Sequence, residues 1–173
     1  MRKKRKWILI SIVAFILVLL GIYIFYEYVM KDTWVEEEAA IAIAKEKEDL
    51  VTVTKTQKSV WSEDAIYWTI EGVNADNEPI MVWVQYGTDK KPKTDEKSVH
   101  SEKIEEGTSE EEMRSKISSQ LPGIEIVRLQ PAVYDETYVW QLFYKENDRY
   151  YYRFYRFSDG TELEEGFQLP VKE

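Results

Sequence analysis

The sequence predicts an α+β protein: one N-terminal transmembrane helix, then two tandem α-β-β-β units, each a helix packed on an antiparallel sheet. Three observations predict it. Residues 7–26 form a run of 20 without a single charge. A strand pattern near residue 51 returns 73 positions later. There is no cysteine, so neither a disulfide framework, a thiolate metal site nor a lipid-attached cysteine holds the chain.

The anchor comes first. At 1.5 Å per residue, about 20 helical residues span a bilayer core of ~30 Å. Arg2, Lys3, Lys4, Arg5 and Lys6 precede the run, and Asp32, Glu36, Glu37 and Glu38 follow it. The positive-inside rule then places residues 1–6 in the cytoplasm, the spanning helix at 7–29, and everything after it outside. A cleaved signal peptide is the competing reading. It calls for a shorter apolar region and small residues at a cleavage site, whereas Glu27, Tyr28, Val29 and Met30 follow here. A buried core helix fits poorly beside five adjacent basic residues.

Charge separates the two parts. Six basic side chains against Glu27 give residues 1–31 a net +5; the whole chain is −9, which leaves −14 for residues 32–173. So acidic an ectodomain argues against nucleic acid and against tight docking on anionic lipid.

The ectodomain reads as one unit written twice. Each copy opens with a capping-box pattern, Thr33-x-x-Glu36 and Ser109-x-x-Glu112. The first helix carries an apolar stripe of Val35, Ala39, Ala40, Ile43 and Ala44; the second carries Met113, Ile117 and Leu121. Stripes at this spacing face a core. Three strands follow each helix. Val51, Val53, Lys55, Gln57 and Val60 fall on Ile124, Ile126, Arg128, Gln130 and Val133 after a shift of 73. A one-residue deletion then sets Trp68 on Trp140. The second strands are expected at 65–71 and 137–145, the third at 80–86 and 150–157. Turn residues Asn74 to Asn77 and Glu146 to Asp148 separate them. Asp159-Gly160 signals a further turn into a short last strand around 162–164. Residues 32–88 make the first unit and 108–173 the second, with 89–107, rich in Lys, Glu, Ser and Thr, as a polar linker.

Few groups can do chemistry. His100 is the one histidine, and it falls in the expected linker, where an exposed surface role is the ordinary one. No second imidazole or thiol can build a zinc site with it. No nucleophile-elbow pattern is present. A wall-cleaving glycosidase needs only two carboxylates, but the acids here fall in solvated runs at helix starts and turns. An EF-hand spacing for calcium is absent. The expectation is no catalytic residue, no cofactor and no metal.

Aromatic residues are the remaining signal. In the last strand Tyr151, Arg153, Tyr155 and Phe157 share one face, and Tyr152, Phe154 and Arg156 share the other. Alternation alone does not say which face meets the helix. The outward one presents Tyr and Arg, residue types enriched at binding hot spots, and Tyr151, Arg153, Tyr155 and Phe157 are the candidate protein-binding residues. The plainer reading is that cross-strand aromatic pairs stabilise a half-exposed sheet.

Tyr138-Val-Trp140-Gln-Leu-Phe-Tyr144, then Tyr150-Tyr-Tyr-Arg-Phe-Tyr-Arg-Phe157-Ser-Asp159-Gly160, joins an aromatic strand, a polar turn, a second aromatic strand and a closing Asp-Gly. With the basic N-terminus, single anchor and doubled unit, this resembles the YpmB-like proteins of Gram-positive bacteria, also called TseB-like cell wall elongation regulators. The resemblance implies tandem cystatin-like folds of the kind seen in PepSY domains. It also implies a membrane-anchored extracytoplasmic regulator of cell wall elongation that binds a class B penicillin-binding transpeptidase. The same folds suit a second role, as regulator or inhibitor of an extracytoplasmic peptidase.

Overall fold

The computed structural model describes residues 2–93, 95–163 and 166–170, without the side chains of 2–5, 8–11 and 96. It contains an apolar helix and two antiparallel four-stranded sheets, an α+β fold. By contact the chain forms two units, Met1–Glu36 and Glu37–Glu173.

The first unit is helical. Helix α1 runs Arg2–Lys47 without a break at Thr33, so the expected cap there is not a helix start. The physical reason is local: from Glu27 to Lys47 there is no Gly or Pro, and an existing helix propagates more easily than a new one nucleates. Among the described residues this is the one helix long and apolar enough to cross a membrane. Its large apolar side chains from Ile12 to Val29, including Phe15, Leu19 and Phe25, are exposed, as is Val35. A membrane anchor or a signal sequence meets this description.

In the second unit the sheets follow the repeat. Strands β1 (Leu50–Val60), β2 (Ile66–Asn74) and β3 (Pro79–Tyr86) are joined by β4 (Val99–Lys103). After helix α2 (Glu110–Gln120) come β5 (Glu125–Tyr134), β6 (Thr137–Glu146), β7 (Arg149–Arg156) and β8 (Phe167–Gln168). The strand orders are β1-β2-β3-β4 and β5-β6-β7-β8. The register breaks between Val53 and Lys55 in β1 and between Ile126 and Arg128 in β5. These bulges fall at equivalent positions of the two copies, so the repeat extends to backbone irregularity.

Two expectations need correction. The stretch 89–107 is not a bare linker: β4 lies in it and pairs antiparallel with β3, from Val84↔Val99 to Ile80↔Lys103. Strand β3 is almost wholly buried, and its second edge would otherwise leave backbone groups unpaired inside the protein. The last strand is displaced as well. Glu162 makes an isolated bridge with Tyr155, β8 lies at Phe167–Gln168, and Glu164 is outside the described residues.

Helix α2 starts as the sequence predicts. Ser109 Oγ accepts from Glu112 N at 3.3 Å, and Glu112 Oε2 accepts from Ser109 N at 2.9 Å. The Ser109 backbone N–H, and then its hydroxyl donating to Glu112 Oε2 at 2.8 Å, hold the Glu112 carboxyl below its usual range. The turns also follow sequence. Asn147 and Asp148 take positive φ between β6 and β7, and Asn74 Oδ1 accepts from Glu78 N at 2.9 Å.

Alternation along β3 sets the layers. Ile80, Val82, Val84 and Tyr86 join Ala40, Ala44, Trp68 and Ile70 in a first core. Met81 and Trp83 point the other way, into a second core with Met113 and Ile117 of α2, Trp140, Leu142, Tyr155 and Phe157. The small Ala40 and Ala44 let α1 approach its sheet closely, and the aromatic and aliphatic residues of β2 and β3 fill the space.

Candidate functional site

The joint between the two sheets is aromatic. The His100 ring lies flat on Tyr138, with centroids 4.0 Å apart and planes at 9°. Trp83 meets Tyr138 at 4.7 Å and the edge of Phe157 at 5.0 Å. His100 is therefore not a loose linker residue. It sits on β4 opposite Trp83, half-buried, with Nε2 2.9 Å from Glu102 Oε1. Burial, and then the charges of Tyr67 and Glu102, push the Tyr138 phenol up to about 12. Burial also raises Tyr67, with Glu136 and Asp95 adding to it.

Beside this joint an open groove of about 850 Å³ runs between the β1–β2 and β5–β6 hairpin ends. Trp61, Tyr67, Tyr134 and Tyr138 form its aromatic lining. Asp64, Asp135 and Glu136 bring three carboxylates against Lys97, so its lining carries net −2. Gln85 Nε2 donates to Asp64 O at 2.7 Å and pins the first hairpin to β3.

The second hairpin turns in two residues, Asp135 and Glu136, with φ of 46° and 55°. Both are in the left-handed region a tight hairpin demands, which a glutamate occupies at a cost of ~1–2 kcal/mol. Both carboxylates are exposed at the groove rim. Aromatic faces and open carboxylates together suit holding a basic segment with apolar side chains.

Trp61 closes the inner end. It lies just past β1, and its indole meets Tyr152 and Phe154 edge-on, both at 5.1 Å. A first-repeat residue thus covers the outward face of the second sheet, where Ala132, Val139 and Phe154 are buried.

The four candidate residues in and just after β7 divide. Tyr155 and Phe157 are 0% exposed and belong to the second core, so they offer no surface. Their face is the one that meets α2. Burial, with the Glu162 charge adding and Arg153 opposing, pushes Tyr155 up to about 12. Tyr151 and Arg153 remain half-buried at the sheet end. Tyr151 stacks on Tyr144 at 5.3 Å, and Arg153 bonds Glu162 Oε1 at 2.5 Å and Tyr144 Oη at 3.1 Å. Their pocket, about 370 Å³, holds a cation already paired with an acid. Sequence reasoning missed Trp61, Asp135 and Glu136. The two-residue gap between Tyr134 and Thr137 was the available signal for the turn.

The cell wall elongation regulator TseB-like domain model matches residues 39–85. That domain spans the end of α1 and strands β1 to β3, and so contributes Trp61, Asp64 and Tyr67 to the groove. The YpmB protein from Bacillus subtilis shares the fold at a TM-score of 0.61 and 23% identity, over 76% of this chain and 96% of that one. A lipoprotein candidate from Clostridium difficile 630 matches at a TM-score of 0.36 and 14% identity, over 75% of this chain and 90% of that one, too distant to bear on the site. No curated protein matches by sequence at a significant level. The domain match supports the YpmB- and TseB-like family read from the sequence, and the YpmB likeness supports the fold of both sheets.

Proposed function

We propose that this chain is a membrane-anchored, extracytoplasmic regulator of cell wall elongation that works by binding a class B penicillin-binding transpeptidase. The TseB-like domain at residues 39–85, on a chain with an apolar N-terminal helix, is the observation that carries the reading. By the positive-inside rule, the basic residues before the apolar run and the acids after it put the N-terminus inside and the sheets outside. The protein binds and does not catalyse. Its contact surface is the acidic aromatic groove, which takes a basic, apolar segment of the partner. Tethering both proteins to one membrane raises their effective concentration, so a weak contact suffices.

The test is crosslinking in cells followed by detergent extraction of the tagged full chain. A class B transpeptidase is expected among the crosslinked partners, and Asp135→Lys with Glu136→Lys is expected to abolish it. Recovery of peptidases and no transpeptidase would overturn the reading in favour of a peptidase regulator.

A further inference from the structure

A second pocket lies on the other side of Trp61, where edge strand β1 contacts edge strand β5. Its volume is about 310 Å³, enough for a small ligand. Its lining differs in sign from the groove: among the described residues it holds two cations, Lys58 and Arg128, and no carboxylate, and Lys58 is already engaged, 5.9 Å from the Trp68 ring. In an ectodomain of −14 this is a local reversal of charge.

Arg128 is the informative cation. By the repeat it corresponds to Lys55, which is tied to Glu110 Oε2 at 2.8 Å. Arg128 is exposed, and among the described residues it has no ion pair, only the Phe143 ring at 5.9 Å. It directly follows the β5 bulge, a feature that re-aims side chains next to sites.

The wall between the cations is polar and incompletely bonded. Gln130 and Gln141 are both buried, and Gln130 Nε2 donates to Gln141 Oε1 at 3.3 Å. Ser59 is 3% exposed, and among the described residues its Oγ has no hydrogen-bond partner. The Trp61 indole N–H has none either. Buried polar groups without partners are rare enough to need a reason. Tyr152 completes the lining with an aromatic ring.

We infer that this pocket binds an anionic sugar or polyol unit, one bearing a carboxylate or a phosphate. Arg128 pairs with the anion, the glutamine amides and Ser59 meet hydroxyls, and the rings of Trp61 and Tyr152 pack on C–H faces. This does not rest on the transpeptidase reading, since it uses a separate pocket of opposite charge.

Calorimetric titration of the full chain in neutral detergent tests it, at low salt of about 20 mM so that pairing is not screened. The probes are N-acetylmuramic acid for a carboxylated glycan, glycerol 3-phosphate for a phosphate-bearing polyol, and N-acetylglucosamine as the neutral control. At least one acid is expected to bind with Kd of roughly 1 mM, and Arg128→Gln to weaken it about tenfold. Lys55→Gln, which removes an equal charge outside the pocket, is expected to leave binding unchanged. Circular dichroism confirms that each variant is folded. Binding of the carboxylate alone assigns the site to a glycan strand, binding of the phosphate alone to a polyol phosphate polymer, and binding of both supports the anion reading. The inference is overturned if neither acid binds, if the neutral sugar binds as well, or if Lys55→Gln weakens binding as much as Arg128→Gln.

Discussion

The two sheets share a strand order and an equivalent bulge, yet they bury their faces by different means. The first sheet turns one face to Ala40 and Ala44 of α1, and its core draws on residues of its own repeat. The second sheet is covered on its inner face by α2 together with Met81 and Trp83, and on its outer face by Trp61. All three of those residues come from the first repeat. An 11-residue helix of mostly polar residues covers little sheet, so the second repeat cannot close its core alone. The duplication therefore made a dependent pair, and the groove is a by-product of that dependence: it opens where the two hairpin ends fail to meet.

The strongest way to break this comparison is Trp83→Ala. Trp83 is fully buried, and truncating such a residue costs about 3–5 kcal/mol. Urea unfolding of the full chain in detergent, followed by near-ultraviolet circular dichroism, should show both sheets lost in one earlier transition. A surviving second-sheet signal would mean that the second core stands by itself. Trp83→Phe should be far milder, because the indole N–H has no partner and its removal relieves a buried donor.

Trp61→Ala comes next, at roughly 2–3 kcal/mol, less than a full core truncation because the indole is partly exposed. It strips the cover from Phe154 and Val139. Fluorescence of the tyrosines on β7 should change while the first core, measured by exchange protection of β2 and β3 amides, stays intact. Equal loss of protection in both sheets would count against an outer face covered from the first repeat.

These assignments also show what could be read in the sequence. The 73-residue register, the placement of Trp68 and Trp140, the Ser109 capping box and the turns at Asn74–Asn77 and Glu146–Asp148 were all legible, because each rests on local pattern. Strand β4 was not. Only Val99 of its five residues is buried, and the others are polar and charged, so an edge strand passes for a linker. Continuity of α1 through Thr33 was obscured by a cap pattern that has meaning only where the chain enters a helix. The face of β7 could not be chosen by alternation, since both faces are aromatic and both are covered, one by α2 and one by Trp61. The pocket at Arg128 depends on two edge strands from different repeats, a contact with no signature along the chain.

Alkaline pH sharpens the comparison further. Tyr138 and Tyr155 both belong to the second repeat, and each is pushed from 10.0 up to about 12. The folded state keeps these phenols protonated where the unfolded chain would release the proton. The resulting stability is present below about pH 10 and is lost as pH rises toward 12. The loss should be about 1–2 kcal/mol per tyrosine, read from unfolding midpoints across that range. Tyr138→Phe should flatten the fall, and an unchanged slope would refute a buried phenol at the joint.

The smallest effect concerns the two matching hairpin ends. The β1–β2 loop closes through a Trp61 N to Ala65 O bond of 3.0 Å with no residue at positive φ. The β5–β6 turn holds Asp135 and Glu136 in the left-handed region. Glu136→Gly removes the Cβ that makes φ of 55° costly, but it also frees the unfolded backbone. The net should be a gain of about 0.5–1 kcal/mol, visible as a small rise in thermal midpoint. The same substitution deletes a rim carboxylate, so crosslinking to the proposed transpeptidase partner should fall even as stability rises. A variant both less stable and equally well crosslinked would show that the turn is unstrained and that the groove rim is not the contact. Opposite movement of the two readouts is what strain retained for binding requires, and the relaxed β1–β2 hairpin provides the internal reference for it.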